Sequence, residues 1–370
     1  MQIKTTQYIP ASNGGAYTYR IGFPQLTMKN IFRGQGIKFT ESFYYITDPK
    51  YLKLINTFVV RQRPDSQLTQ YLKLLKKISN SYGQLIIFDM DDILKYEDIP
   101  NWNIGRKAFK NISIKENLDL SDIITVTTVA LKQYLIDTYN ISKNKIVIIP
   151  NYIPRWWIHP KSLKEQTNTI KAKRPKIILP LSSSHYSSDP SLEDDFSHII
   201  NFIRNTTKKY EWIFVSGCPI PLLDLHKNKE ISVVKGSTIL NYPREMVERY
   251  SPSIILAPLK DNIFNRCKSE IKIQEAFSMN IPIIAQDLPM YKNLTEFTFN
   301  NENDLQNNID IILSNKNKYS DIIKNNKNIC DKGNQYFKNG FWLENNINKH
   351  IDLYFKSIRN TIKINLKDLK

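Results

Sequence analysis

The stretch APLKDNIFNRCKSEIKIQEAFSMNIPIIAQDLPMY, Ala257 to Tyr291, holds the residue types and spacing best suited to chemistry. It reads as strand, loop, helix, tight turn and strand. Ser269 is a good N-cap for a helix from Glu270 to about Met279, because its hydroxyl can accept a free backbone N–H. Lys272 lies four residues after Lys268, and Glu275 three after that, so one helical stripe would carry all three. Two ammonium groups beside a helix N-terminus make a diphosphate site in physical terms. The free N–H groups and the dipole favour the anion, and the lysines neutralise it. A carboxylate almost two turns in can accept two hydrogen bonds from vicinal ribose hydroxyls. The plainer alternative is a solvated amphipathic helix with ordinary i,i+4 charges.

A second cluster is LIIFDMDDIL, with Asp89, Asp91 and Asp92 at the carboxyl end of an apolar strand. In one reading, Asp91 or Asp92 faces a cleft and orients a hydroxyl or sugar. In another the segment resembles DxDG[TV], the first motif of haloacid-dehalogenase-type phosphatases. There Asp89 would be the nucleophile and Asp91 the acid around Mg²⁺, but Asp92 replaces the motif's glycine and Ile93 its Thr or Val. In a third, the acids cap a following helix. No histidine precedes His159, so the first half offers no imidazole base. His185, in the Ser-rich loop SSSHYSSD, is the histidine placed for catalysis or ligand binding; a solvated loop residue is the alternative. Arg20, after the glycine loop holding Gly14 and Gly15, could reach an anionic ligand across a cleft, or form a surface salt bridge. Trp156 and Trp157 suit packing at a hinge better than stacking on a base.

The elements that must position these residues are short apolar runs alternating with helical periodicity, the pattern of βαβ units around parallel sheets. Strands are expected at Ile3–Ile9, near Phe43–Ile46, and at Thr57–Val60, Leu85–Phe88, Ile123–Val126 and Ile146–Ile149. Helices are expected at Leu68–Ile78 and Val129–Tyr139. Residues 150 to 175 break the pattern with prolines, two tryptophans and the polar run SLKEQTNTIKAK, as an interdomain connection does. Alternation restarts at Ile177–Leu181, Trp212–Val215, Ile231–Val234, Ile254–Ala257 and Ile281–Ala285. Two Rossmann-like α/β domains, residues 1–155 and 176–340, would then face each other across a cleft, joined by a linker at 156–175. Ligands of such sheets bind at strand carboxyl ends. Residues 341–370 are expected to form a helix crossing back over both domains, through Leu343, Ile347, Ile351, Tyr354 and Ile358, with a basic tail.

Taken together, the motifs resemble the retaining family-four glycosyltransferases of the GT-B fold, especially a phage and bacterial branch with FNxxKSxxKxxEA followed by PIIAxDxPxY. This chain has Phe264, Asn265, Lys268, Ser269, Lys272, Glu275 and Ala276, then Pro282, Ile283, Ala285, Asp287 and Tyr291. SSSHYSSD (Ser182 to Asp189), GCPIP (Gly217 to Pro221), PNYIP (Pro150 to Pro154) and NGGAYTYRIGFP (Asn13 to Pro24) are similar to other family segments in the same order. The resemblance implies transfer of a sugar from a nucleoside diphosphate, a UDP-sugar first, to a hydroxyl with retention and without a bound metal. It assigns Lys268 and Lys272 to the leaving phosphates, Glu275 to the ribose, Ser269, His185, Gly14, Gly15 and Arg20 to donor binding, and Asp91 and Asp92 to the acceptor side. Two departures stand out. The family's first glutamate, eight positions before the ribose glutamate, is Cys267 here, and its usual Arg/Lys pair is replaced by His185 with Ser182 to Ser184.

Composition bounds the partners. The chain has 370 residues, 52 Lys and Arg against 35 Asp and Glu, and a net charge of +17. Such charge suits nucleic acid, anionic membrane surfaces or phosphorylated ligands, and AT-rich coding bias also produces it. No apolar run approaches the roughly 18 residues of a spanning helix, and no apolar leader is visible near the start. Three scattered cysteines exclude a disulfide framework, so a soluble cytoplasmic protein is expected. Two acceptors suit this reading: double-stranded DNA with hydroxymethylated pyrimidines, or a surface polysaccharide or glycoprotein. A non-catalytic nucleic-acid-binding module of the same shape is the reading of another class.

Overall fold

A computed structural model of the chain describes residues 4–314, apart from 11–14, 27–36, 62–65, 152, 154, 161–167, 170–171, 181 and 293. Two six-stranded sheets follow one another along the chain. The first comprises β1 (Lys4–Ile9), β2 (Ile37–Glu41), β3 (Thr57–Arg61), β4 (Leu85–Met90), β5 (Ile123–Val126) and β6 (Ile146–Ile148), in the order β2-β1-β3-β4-β5-β6. The second comprises β7 (Lys176–Leu179), β8 (Glu211–Val215), β9 (Ser232–Val234), β10 (Ile254–Ala257), β11 (Ile283–Gln286) and β12 (Thr298–Phe299), in the order β12-β11-β10-β7-β8-β9. All ten strand pairs are parallel. The strands read as unbroken apolar runs because helices cover both faces; every residue of β4, LIIFDM, is buried.

Helices between the strands begin and end where local chemistry dictates. The helix Leu68–Tyr82 buries Leu68, Leu72, Leu75 and Ile78 on one stripe and stops at Gly83, which takes a left-handed φ of 67° and donates to Ser79 O. The helix Val129–Tyr139 is capped by Thr128, whose hydroxyl accepts from Leu131 N. After β1 the chain makes a wide π turn, Thr18–Gly22, in which Phe23 N donates to Thr18 O. That turn buries Arg20 in the first unit and sends Tyr19 and Phe23 into an apolar cluster with Tyr242 and Met246 of the second and Trp157 of the connection between them.

The two-unit α/β architecture is the one expected. Two local expectations are corrected. The second strand is Ile37–Glu41, not Phe43–Ile46. Beyond Glu41, Ser42 Oγ donates to Tyr44 O and accepts from Tyr44 N, so a side chain replaces the ladder, and Tyr44 is 83% exposed. The two-residue β12 is too short to show alternation in the sequence. No helix directly follows Asp91 and Asp92, so they cap nothing. Trp157 packs as expected: buried, it donates to Ile239 O at 2.8 Å and stacks on Tyr242. The expected C-terminal helix and Gly14 lie outside the described residues. Among the described residues no helix is long and apolar enough to cross a membrane.

Candidate functional site

In each sheet the strand order reverses beside its first strand, between β1 and β3 and between β7 and β10. Crevices outside the carboxyl ends at such points are where α/β sheets bind ligands. Here the two open into one cleft of about 330 Å³, whose walls include Gly15, Asp91 and Asp92 from the first unit and His185, Lys268, Ser269, Lys272 and Glu275 from the second. The structure thus brings together eight of the residues singled out from sequence.

Their partners sharpen the picture. Lys268 Nζ lies 3.3 Å from Asp92 Oδ1, bridging the units. Lys272 Nζ lies 2.9 Å from Glu275 Oε2 on the same helix, Ile271–Ser278. Glu275 is 3% exposed, and its Oε1 accepts the Tyr19 hydroxyl at 2.5 Å. Burial and this carboxylate raise the Tyr19 phenol well above its ordinary pKa, so it stays a donor. Asp91 Oδ1 is held 2.5 Å from Arg61 Nη2. Burial, with Asp92 beside it, pushes the Asp91 carboxyl up against the pull of Arg61.

Two assignments change. Ser269 is not the cap of its helix: the helix starts at Ile271 with Glu270 as the cap residue and no side-chain cap bond. The Ser269 hydroxyl instead accepts from Asn151 Nδ2 at 2.9 Å, a partner 118 residues away that local sequence does not announce. Lys268 accordingly precedes the helix rather than sharing its stripe. Arg20 does not reach across the cleft and is not on the surface. It is 2% exposed, grips Asp89 through Nε at 3.1 Å and through Nη2, and donates to Ile149 O. Asp89 also accepts from Thr125 Oγ1 at 2.6 Å and faces Arg61 Nε at 3.6 Å. Burial alone would raise its carboxyl, but Arg20 and Arg61 hold it below the usual aspartate range. A carboxylate so enclosed is a structural anchor, which counts against the phosphatase reading that needs it as nucleophile.

His185 and Asp195 form a pair that motif reading missed on one side. His185 Nδ1 lies 2.8 Å from Asp195 Oδ2, and Asp195 is 1% exposed. Burial lowers the His185 pKa, Lys268 and Lys272 lower it further, and Asp195 opposes them. Arg61 and Tyr19 were missed as well. An arginine closing the buried strand TFVVR was the available signal for the first; none existed for the second. Gly217, in the GCPIP segment, has φ +139°, and a Cβ there would lie 1.9 Å from the Tyr186 hydroxyl, so only glycine lets that tyrosine pass. Cys267 is 1% exposed and packs with Phe264 against the first unit's core. Among the described residues no three His, Cys, Asp or Glu side chains cluster as a metal site would require.

The sequence matches no family model and no curated protein. Solved structures do resemble this one. HepE of Anabaena, in complex with UDP-glucose, superposes with a TM-score of 0.62 at 13% identity over 95% of this chain and 99% of that one. A glycosyltransferase from Rickettsia africae gives 0.61 at 15% identity, over 97% and 99%. Sucrose-phosphate synthase from Thermosynechococcus elongatus gives 0.61 at 12% identity, over 96% and 99%. At such identities the likeness is one of fold: this chain is built as those proteins are, from two parallel α/β units in succession.

Proposed function

We propose that this chain is a glycosyltransferase that moves a sugar from a nucleoside diphosphate, a UDP-sugar first, to a hydroxyl acceptor with retention of configuration. The observation that carries the reading is the meeting of Lys268, Lys272 and Glu275 in one cleft at the carboxyl ends of both sheets. The fold likeness to HepE, whose structure holds UDP-glucose, supports the donor class. Glu275 would take the ribose hydroxyls once Tyr19 releases it, and Lys272 and Lys268 would lie over the diphosphate. As the anomeric carbon–oxygen bond breaks, its electron pair passes to the β-phosphate, and the two ammonium groups stabilise that charge. The acceptor oxygen adds on the face being vacated, and its proton goes to the leaving phosphate oxygen. Asp92, drawn to Lys268, and Asp91, fixed by Arg61, would orient the acceptor.

A panel of UDP-, GDP-, ADP- and CDP-sugars, scored for nucleoside diphosphate release, tests this. Lys272→Ala should lower turnover roughly 10²–10³-fold, as loss of one preorganised donor does. Near wild-type rates for both Lys272→Ala and Glu275→Ala would overturn the site. No release from any donor, with or without acceptors, would favour the non-catalytic nucleic-acid-binding module. The acceptor we favour is duplex DNA bearing hydroxymethylated pyrimidines, on the strength of the +17 charge. That predicts duplex affinity falling steeply with salt; turnover with polysaccharide and not with modified DNA would decide for the other acceptor.

A further inference from the structure

Both cleft lysines are already committed in this structure, Lys272 to Glu275 at 2.9 Å and Lys268 to Asp92 at 3.3 Å. A diphosphate entering the donor site therefore meets two lysines that each already face a carboxylate. His185 is the wall residue able to supply more positive charge. Its Nδ1 is fixed by Asp195, and Asp195 is fixed in turn. Asp195 Oδ1 accepts from Asn265 Nδ2 at 2.7 Å and from Lys260 N at 2.9 Å, and its own N–H donates to His185 O at 3.2 Å. An ionised carboxylate only accepts, so the neutral ring carries its proton on Nδ1. Nε2 is then a lone pair, and no hydrogen bond to it is formed among the described residues. Among the described residues, the charged and titratable groups around the ring are Asp195 on its Nδ1 side, Lys268 and Lys272 from the loop and helix of the donor side, and Tyr19, Asp91, Asp92, Glu275 and Tyr291 around the same cleft.

We infer that His185, oriented by Asp195, is a conditional third cation of the donor site, taking a proton from solvent onto Nε2 when a diphosphate binds. Burial first, and the two lysines after it, keep the ring neutral until an anion enters; the new N–H then donates to a phosphate oxygen, and the proton returns to solvent when the product nucleotide leaves. Here the loop His185 serves in place of a permanently charged arginine or lysine, making donor affinity a function of pH. The inference rests on the donor-site reading above and adds the protonation step to it.

Calorimetry of UDP binding in two buffers of different ionisation enthalpy, between pH 7.5 and 8.5, counts the proton. There the terminal phosphate has lost nearly all of its last proton and uracil N3 keeps its own, so uptake belongs to the protein. Expected is uptake approaching one proton per UDP, with affinity falling about tenfold per pH unit where uptake is complete. His185→Asn should bind weakly with no uptake, and His185→Arg should restore affinity with no pH dependence; thermal unfolding checks that both fold as wild type does. Wild-type binding without proton uptake, or unchanged uptake in His185→Asn, overturns the inference and leaves the donor site standing. If UDP, GDP and CDP all fail to bind the wild type, the donor reading falls and the inference with it.

Discussion

The Tyr19 hydroxyl donates to Glu275 Oε1 at 2.5 Å, joining residues 256 positions apart across the cleft. The π turn at Thr18–Gly22 makes this reach possible: it buries Arg20 on Asp89 and sends Tyr19 into the second unit. One side of the turn is bolted to the first sheet while the other blocks the carboxylate assigned to ribose.

Tyr19 therefore competes with the donor. Tyr19→Phe keeps the ring packed against Phe23 and Trp157 and leaves Glu275 with Lys272. A hydrogen bond to a charged group is worth about 1.5–3 kcal/mol, part of which the donor must now displace. We expect UDP affinity to rise about three- to tenfold, with a small loss of thermal stability when no nucleotide is added. Weaker binding, measured by the same calorimetry, would make Tyr19 part of the donor site and not its competitor.

Asp89 should matter for stability and not for chemistry. Removing its charge leaves Arg20 and Arg61 buried with one carboxylate between them, and a broken buried pair costs about 3–5 kcal/mol. Asp89→Asn should lower the unfolding midpoint accordingly. The sign of the pH effect follows from the lowered carboxyl. Its contribution is complete above the ordinary aspartate range and is lost as pH falls through the lower folded value, so wild type should shed stability in strong acid and Asp89→Asn should lack that component. A variant as stable as wild type yet inactive would restore a reactive role for this carboxylate.

Most strands were legible because both faces are buried: Ile123–Val126 and Ile254–Ala257 appear in the structure as read from their apolar runs. The lysines and glutamate of the cleft were legible as a charge pattern ahead of a strand. What escaped depends on partners distant in sequence. Ser269 has the composition of a cap, but Asn151 claims its hydroxyl. Arg20 reads as a surface cation until Asp89, 69 residues on, encloses it. The π turn has no periodicity of its own and is held by the packing of Tyr19 on the second unit.

The described thiols should be inert in the native protein. Burial pushes Cys218 up to about 11, and burial with Asp92 nearby pushes Cys267 up to about 12. At pH 8 both therefore stay thiols, and the thiolate is the reactive form. Iodoacetamide at pH 8 should leave both unmodified in the folded protein and label both in urea, read by mass spectrometry of digests. Rapid native labelling of Cys267 would mean that the two units part often, since its cover comes from the first unit's core.

That cover also decides what Cys267→Glu would do. Building the acidic pair of the glycosyltransferases that the sequence resembles suggests a gain in activity; the structure argues for the reverse. The Cys267 carbonyl accepts from Thr128 Oγ1 at 2.9 Å, the same hydroxyl that caps the helix Val129–Tyr139. The side chain is 1% exposed and packed beside Phe264. A carboxylate there would sit near Asp92, whose Lys268 is already paired to it, and burying such a charge costs several kcal/mol. The substitution should pry the units apart at this seam, lowering the unfolding midpoint and turnover together, whereas Cys267→Ala should leave UDP affinity near wild type. If Cys267→Glu instead keeps its stability and gains turnover, the loop can turn that position toward the sugar, and the seam seen here is one of two arrangements the site adopts.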